Sequence, residues 1–366
     1  MKPLYLVAVI AVLTVSCSKK KNALHVAAPS ETIVFHQNTE LIIHDLPDEL
    51  VKSKHYINLD MDKEKNYLGI ISKASVTKNK IYLLDKRLRK LVIFDRKGKY
   101  EGMIDRLHKD YANMSYFDVD TTGIIYVIDG KLDNLLTYDA ALHLTNLKKS
   151  PFEADIIQRL NSNNFLVGLS SWNKQTDAGD QIVFTDSNLI PIKTILRYDE
   201  NVDDNYWITE YRFIKTDKSI FYNKSVDNNV YAFSLKGELQ KIYRFDFGPM
   251  NVPNADKKNI QASIAKYDKY RLLTDFTVVN NKYAIGKIYD RQNFRFFYLD
   301  RIAHRLFLED LTLPNALKHI ADFDGTHLFT FINPGDFDET AFGNLPIDAK
   351  QHLQKGGIVF CDYELN

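Results

Sequence analysis

The chain is poor in cysteine, which excludes a disulfide framework as its source of stability. Its 366 residues include only Cys17 and Cys361, and these two cannot pair with each other if one is modified at sulfur. Tryptophan is also scarce, with two residues, and the formal net charge is only +1 at pH 7. The fold must therefore be stabilised by burial of apolar side chains.

Charge of one sign is not in excess. Without its first 16 residues, the chain has 47 basic and 47 acidic residues. Nucleic-acid binding normally requires basic residues clustered on one face, and the only run of three consecutive basic residues is Lys19–Lys21. We predict no nucleic-acid partner.

The N-terminus resembles a bacterial lipoprotein signal. Lys2 precedes the mostly apolar run Leu4–Val15, which ends at Ser16 and Cys17. The 12 residues of the run are too few to cross a bilayer as a helix, and a small residue before a cysteine marks a cleavage site. We expect lipidation of Cys17, which would anchor the protein to a membrane. The alternative is a plain secretory signal in which Cys17 has no role.

These features divide the chain into three parts. Residues 1–16 are the expected signal peptide, residues 17–30 a lipidated tether, and residues 31–366 the folded part. No segment after the signal has the length and hydropathy of a membrane-spanning helix.

Strand-forming residues repeat along the folded part. The chain has 21 tyrosines and 22 phenylalanines, set among short runs of Ile, Val and Leu, which favours β-strands over helices. Six times, a β-rich run is followed by a polar turn and a second run that ends near an aromatic residue and an acid. The paired runs are Ile81–Asp85 with Leu91–Asp95, Ile124–Asp129 with Leu135–Asp139, Phe165–Leu169 with Ile182–Asp186, Ser219–Asn223 with Val230–Ser234, Tyr283–Asp290 with Arg295–Asp300, and His327–Ile332 with Gly357–Tyr363.

A further run precedes each pair, which predicts four strands per unit. A hairpin alone is marginally stable, so the units must pack against each other, and closure into a ring leaves few exposed edges. We therefore predict an all-β, six-bladed β-propeller with four-stranded antiparallel blades; a β-sandwich with long loops is the alternative. The predicted innermost strands are Gly69–Val76, Tyr116–Asp120, Ile156–Leu160, Glu210–Thr216, Leu273–Asn280 and Leu317–Phe323.

One segment interrupts the β pattern. Residues Asn254–Leu272 follow Pro253 and carry apolar residues at helical spacing, which predicts one inserted amphipathic helix between the fourth and fifth blades. This helix either covers the central channel and presents Tyr267, Tyr270 and Arg271 to a ligand, or it is a packed decoration.

Several of these segments resemble a known family. The lipoprotein signal, Tyr56–Leu59, Tyr67–Ile71 and the run from Lys80 to Gly98 are similar to the six-bladed β-propeller lipoproteins of Bacteroides-type bacteria, which are related to NHL-repeat propellers. The resemblance covers residues 31–366 and implies a secreted, membrane-anchored propeller, held in the cell envelope at the outer membrane.

The tether indicates which side of the outer membrane the protein occupies. In Bacteroides-type bacteria, whose propeller lipoproteins the chain resembles, export of a lipoprotein to the cell surface is often marked by acidic residues soon after the acylated cysteine. Here Cys17 is followed by Ser18 and Lys19–Lys21. This favours the periplasmic face over the cell surface.

Motifs of the strongest enzyme classes are lacking. The sequence has no serine-hydrolase elbow, HExxH, P-loop or paired CxxC, and its ten histidines show no ligand spacing. No cofactor is predicted. Calcium is the candidate ion if acids on the innermost strands converge in the channel, and the candidate ligands are Asp118, Asp275 and Asp322, with His319 as a partner.

Other side chains on or near the innermost strands suit an organic ligand. Basic groups beside aromatic rings bind carbohydrates and carboxylates, unless arginines and aspartates of adjacent blades simply pair with each other. The candidate ligand-binding residues, in the channel or beneath the inserted helix, are Lys73, Tyr116, Asp118, Arg159, Trp207, Tyr211, Arg212, Asp275 and His319.

Two functions fit these observations. The first is a non-catalytic binding or scaffold module for a protein or glycan ligand. The alternative is a propeller hydrolase or lyase, similar to a lactonase, that uses acidic channel residues with or without a divalent metal. The first requires no catalytic motif, and the second requires three or more carboxylate or histidine groups at one depth.

Overall fold

The computed structural model describes residues 29–34, 40–43, 45–62, 65–105, 111–160, 163–170, 173, 179–198, 211–223, 226, 228–258, 264–312, 317 and 319–366. It confirms a six-bladed β-propeller. In each of the six sheets, the innermost strand is followed outward by the next two strands of the chain.

The blades are numbered in the order of their innermost strands. Blade 1 holds β4 (Lys73–Val76), β5 (Lys80–Asp85), β6 (Lys90–Asp95) and β7 (Tyr100–Ile104). Blade 2 holds β8 (Met114–Val119), β9 (Ile125–Asp129), β10 (Asn134–Tyr138) and β11 (Leu144–Lys149). Blade 3 holds β12 (Ala154–Arg159), β13 (Phe165–Leu169), β14 (Asp180–Thr185) and β15 (Pro191–Arg197).

Blade 4 holds β16 (Phe213–Lys215), β17 (Ser219–Asn223), β18 (Asn229–Ser234) and β19 (Leu239–Asp246). Blade 5 holds β20 (Arg271–Val278), β21 (Tyr283–Asp290), β22 (Asn293–Asp300) and β23 (Arg305–Glu309). Blade 6 combines β24 (Ile320–Phe323), β25 (His327–Ile332) and β26 (Val359–Leu365) with β3 (Val51–Asn58) from the other end of the chain. Each predicted innermost strand overlaps the observed one in its blade, but the bounds differ. Strand β4 begins at Lys73 and not at Gly69, and β16 and β24 are shorter than the predicted Glu210–Thr216 and Leu317–Phe323, of which residues 210 and 318 lie outside the described residues.

The middle strands explain why the repeat is visible in the sequence. Blades pack face to face, so a middle strand is covered on both faces and reads as an apolar run. Strands β5 and β9 are buried almost throughout, whereas the outermost strands β11 and β15 are largely exposed. The periodicity of the sequence thus comes from the second and third strands of each blade.

A buried acid at the end of the second strand fixes the chain that enters each of the first two blades. Asp85 is fully buried and accepts hydrogen bonds from the backbone N–H groups of Gly69, Ile70 and Leu88. In blade 2, the buried Asp129 accepts hydrogen bonds from the backbone N–H groups of Ala112 and Asn113. These acids satisfy backbone donors that would otherwise be buried without partners.

The N-terminal segment adds strands that the sequence did not predict. β1 (Ser30–Val34) pairs in parallel with β19, and β2 (Glu40–Ile43) pairs in parallel with β23. Blades 4 and 5 therefore have five strands, each with one parallel pair, because the chain passes along their outer edges before it completes blade 6. Strand β1 also begins at Ser30, the last residue assigned to the tether.

In its described residues, the inserted segment between blades 4 and 5 has two short helical pieces. Helix α1 (Asn254–Lys257) and a 3-10 helix at Ile264–Lys269 are described, and β20 begins at Arg271. The predicted end at Leu272 was wrong because residues 271 and 272 belong to the strand. A second helix, α2 (Ile347–Gln354), lies between β25 and β26 and was not predicted. No helix in the described residues has the length and apolar character needed to cross a membrane.

Gly98 tests how tightly the closing strand packs against blade 1. Its φ is +85°, and an added Cβ would lie 2.3 Å from the carbonyl oxygen of Asn58, the last residue of β3. Gly356 has a φ of +87°, and no atom lies within 4 Å of the position that its added Cβ would take. It is therefore the matched control. We expect Gly356→Ala to lower the free energy of unfolding by about 1 kcal/mol and Gly98→Ala by about 1 to 3 kcal/mol more, measured by chemical denaturation. Equal losses would show that β3 yields to the methyl group.

Candidate functional site

A cavity of about 270 Å³ opens at one end of the central channel. Lys73 is the first residue of β4, while Arg212 and His319 lie just before β16 and β24, so the cavity lies where the innermost strands begin. We call this side of the propeller the entry face. It also carries the turns between second and third strands, including Lys86 of blade 1.

Arg212 lines this cavity and joins three blades. Its Nε and Nη2 atoms lie 3.2 and 3.4 Å from the carboxylate oxygens of Asp275 in blade 5, and Nη1 donates to the carbonyl oxygen of Ala321 in blade 6 at 2.6 Å. Burial opposes the charge of Arg212, but Asp275 and Asp322 together raise its pKa. The arginine–aspartate pairing considered from the sequence is therefore present for Arg212 and Asp275.

Three lysines, Lys73, Lys86 and Lys287, also line the cavity. The Nζ atom of Lys73 lies 4.5 Å from the ring centroid of Tyr116 in the adjacent blade, and that of Lys287 lies 5.1 Å from the centroid of Phe294. Burial lowers the pKa of Lys287, with Asp275 opposing the shift. Lys86 is half-buried in the turn between β5 and β6. Among the described lining residues, Asp275 is the one carboxylate.

Tyr211 and His319 are held by acids behind the cavity wall. Tyr211 donates to Asp155, and burial followed by the charge of Asp155 raises the pKa of the phenol far above its usual range. The Nε2 atom of His319 lies 2.9 Å from Asp336, and the ring is stacked on Phe331 with centroids 4.9 Å apart. Both side chains are thus fixed in orientation at the cavity wall.

The acids proposed as metal ligands bind backbone groups of neighbouring blades. Asp118 accepts hydrogen bonds from the backbone N–H of Arg159 and the side chain of Gln158, and Asp322 accepts one from the backbone N–H of Val76. Burial raises the pKa of both acids. In the part of the chain that the structure describes, no three His, Cys, Asp or Glu side chains come together as a metal site. A calcium ion at Asp118, Asp275 and Asp322 stays a prediction.

The remaining candidates lie elsewhere. Arg159 is at the far end of β12, where its guanidinium is 4.9 Å from the ring centroid of Phe165 and donates to Asn163. Trp207 lies outside the described residues. Of the nine predicted ligand-binding residues, the cavity is lined by Lys73, Tyr116, Tyr211, Arg212, Asp275 and His319.

The side chains proposed for a lid are mostly part of the packed structure. Tyr267 is buried, and its hydroxyl donates to the backbone of Asp256, as Tyr270 does to the Asp256 side chain. Arg271 is 1% exposed and lies between Glu40 of β2 and Asp290 of β21. This placement favours the packed decoration over the lid, because Arg271 is committed to an internal ion network.

Sequence reasoning did not select eight residues that line the cavity, which are Ile71, Ser72, Lys86, Thr274, Lys287, Phe294, Ile320 and Phe331. Of Lys86, Thr274, Lys287 and Phe294, only Thr274 is on an innermost strand. The others belong to second and third strands or to the turn between them, where the alternation of the sequence gives no sign of an inward position.

A model of a known protein family covers most of the chain. Residues 37–356 match the model of a domain of unknown function, DUF4934. The chain belongs to the DUF4934 family. A search of curated proteins found no match for this DUF4934 chain.

Solved structures share the fold of the DUF4934 chain. A Bacteroides fragilis protein described as exported is 15% identical with a TM-score of 0.71, and the match covers 91% of this chain and 99% of that one. A DUF4221 member from Bacteroides vulgatus is 10% identical with a TM-score of 0.47, covering 87% and 98%. Virginiamycin B lyase of Staphylococcus aureus is 11% identical with a TM-score of 0.41, covering 76% and 81%. At 15% identity, the similarity to the Bacteroides fragilis protein extends to the fold alone.

The Arg212–Asp275 pair should be strongly coupled. Loss of one partner leaves a buried charge without its counterion, so we expect Arg212→Met to lower the free energy of unfolding by about 3 to 5 kcal/mol. The double variant with Asp275→Asn should lose clearly less than the sum of the two single changes. Chemical denaturation of all four proteins measures this. Additive losses would indicate that the two side chains act independently.

Proposed function

We propose that this DUF4934 protein is an exported lipoprotein that binds a protein or glycan ligand in the cavity of the entry face, without catalysis. Cys17 would carry the lipid and hold the propeller at the outer membrane, on its periplasmic side. Support for export comes from the signal-like residues 1–16 and from the similar architecture of the exported Bacteroides fragilis protein.

The observation that carries the binding role is the cavity of about 270 Å³ on the entry face. Blades 1, 2, 4, 5 and 6 contribute residues to its wall, and Arg212 is bonded to two blades besides its own. A cavity of this size suits the end or a side group of a ligand. Orientation of Tyr211 and His319 by their acid partners means that little side-chain freedom remains to be lost on binding.

The placement of the acids favours binding over the hydrolase or lyase alternative. Asp118 and Asp322 are engaged with backbone N–H groups of adjacent blades, and Asp275 is engaged with Arg212. Each carboxylate thus has an evident structural partner, and that partner accounts for its presence in the channel.

Lipid anchoring is tested at Cys17. We expect Cys17→Ala to move the protein from the membrane fraction to the soluble envelope fraction, since the acyl chains supply the membrane affinity. Cys361→Ala is the matched control, because Cys361 is 1% exposed in β26 and should leave the protein membrane-bound. Fractionation of the cell envelope with immunoblotting measures both. Membrane retention of Cys17→Ala would contradict the anchor.

Filling the cavity tests the binding site. We expect Ser72→Trp, which places an indole in the cavity, to abolish binding to a glycan array or to solubilised envelope proteins. Ser187→Trp, in an exposed turn of blade 3 away from the cavity, should not affect it. Mass spectrometry of the recovered ligand should find it chemically unchanged, whereas a cleaved product would favour the enzyme. Equal binding by the two variants, or no binding by the unaltered protein, would contradict the proposal.

A further inference from the structure

We infer that the cavity of the entry face takes a neutral carbohydrate, as the terminal pyranose unit of an uncharged glycan. This inference rests on the proposed function, since it requires the cavity to be a ligand site. It adds the chemical class of the ligand.

The charges of the innermost strands around the cavity are balanced within the protein. The guanidinium of Arg212 lies 3.2 Å from the carboxylate of Asp275. The ammonium of Lys73 interacts with the charges of Asp118 and Asp322, the buried acids of blades 2 and 6. Both cations of these strands therefore already have counterions.

The other basic side chains of the described wall are engaged as well. Lys287 interacts with the charges of two acids, Glu309 among them, and Lys86 also has a partner. His319 lies 2.9 Å from Asp336. A charged ligand would lose its hydration in the cavity without meeting an uncompensated charge among the described residues, so a neutral ligand is favoured.

A neutral ligand can still form hydrogen bonds with this wall. The Nζ atom of Lys73 lies 4.5 and 5.3 Å from the ring centroids of Tyr116 and Phe117, and none of the hydrogen bonds within the described residues is donated by this ammonium. Ser72 Oγ accepts a hydrogen bond from the backbone N–H of Lys86 at 3.3 Å, and its hydroxyl hydrogen can turn towards a ligand. The hydroxyl groups of a sugar, which both accept and donate, match these two side chains.

The ring of Phe294 supplies an apolar contact beside these polar groups. Phe294 lines the cavity and is 41% exposed, so part of its ring is accessible to a ligand. The ring is held in place by Tyr289, with ring centroids 5.5 Å apart, and by Lys287, whose Nζ atom lies 5.1 Å from its centroid. A fixed aromatic ring suits the C–H face of a pyranose, whose hydroxyl groups point outward from the ring edge.

This combination favours a sugar over an apolar side chain of a protein partner. An apolar side chain would contact Phe294, but it would also cover the polar groups of Lys73 and Ser72 without giving them hydrogen bonds, which is costly. The volume of about 270 Å³ is near the lower end of the roughly 300 to 1,000 Å³ typical of small-molecule sites. The cavity thus suits one terminal sugar unit, with the rest of the glycan outside it.

The test is isothermal titration calorimetry of the full chain in a detergent without a sugar headgroup. The neutral probes are maltotriose, cellotriose, mannotriose and N,N′-diacetylchitobiose. Trigalacturonate represents acidic sugars, and N-acetyltryptophanamide represents an apolar side chain. We expect at least one neutral sugar to bind, with the same affinity at low and high ionic strength, because an uncharged ligand makes no ion pair that salt would screen.

Substitutions of Phe294 separate stacking from simple apolar contact. Phe294→Leu keeps an apolar side chain but removes the ring, and we expect it to bind the sugar at least about tenfold more weakly, a loss of about 1.4 kcal/mol. Phe294→Trp restores an aromatic face and should bind at least about tenfold more tightly than Phe294→Leu. Ile302→Ala is the matched control, because Ile302 is 70% exposed in the turn between β22 and β23, at the other end of blade 5. It should bind like the unaltered protein.

The outcomes separate this inference from the proposed function. Equal affinities of Phe294→Leu and Ile302→Ala, or sugar binding that persists in Ser72→Trp, would overturn a pyranose in this cavity. Binding of trigalacturonate or N-acetyltryptophanamide alone, lost in Ser72→Trp, would overturn the neutral sugar and leave the cavity as the ligand site. If no probe binds but another ligand is lost in Ser72→Trp, the inference fails and the proposed function stands. If no ligand of any kind binds, both fail.

Discussion

Closure of the ring is the constraint on which the rest of this structure depends. Strand β3, near the beginning of the chain, forms an antiparallel ladder with β26 at its end, from Val51 opposite Leu365 to Asn58 opposite Val359. Until this pairing forms, blade 6 lacks its outer strand. Each blade packs on two neighbours, so an open ring would expose the apolar faces of two blades at once.

Polar contacts between the innermost strands also hold the blades together around the channel. Lysine–aromatic, carboxylate–amide and arginine–carboxylate contacts connect neighbouring blades, and Arg212 reaches two blades from one side chain. The contacts are Lys73 with Tyr116, Asp118 with the backbone of Arg159, Lys215 with the carbonyl of Arg159, Arg212 with Asp275 and Ala321, and Asp322 with the backbone of Val76. Polar groups in a narrow channel are costly unless satisfied, and here they satisfy each other across blade boundaries. Two of these contacts, Lys73 with Tyr116 and Arg212 with Asp275, form part of the wall of the cavity on the entry face.

The N-terminal strands connect the proposed anchor to the propeller. On β1, Glu31 binds Arg301, and on β2, Glu40 binds the buried Arg271, which also contacts Asp290. The segment that follows Cys17, the proposed lipidation site, is thus fixed to blades 4 and 5 by parallel pairing and by ion pairs. The buried network has several partners, which is the arrangement in which a buried charge is stabilised.

The sequence by itself determined the blade count, the innermost strands and the hairpins, because the middle strands are covered on both faces and must be apolar over their whole length. It also placed Lys73, Arg212 and Asp275 near the channel, since they lie on or beside innermost strands. Only the tertiary structure decided that Arg212 pairs with Asp275 and that Lys86, Lys287 and Phe294 join them, because these side chains come from separate blades or from strands whose inward positions have no local pattern. The parallel strands β1 and β2 could not be predicted from the sequence either. An added edge strand is defined by the strand that it pairs with and not by its own four or five residues.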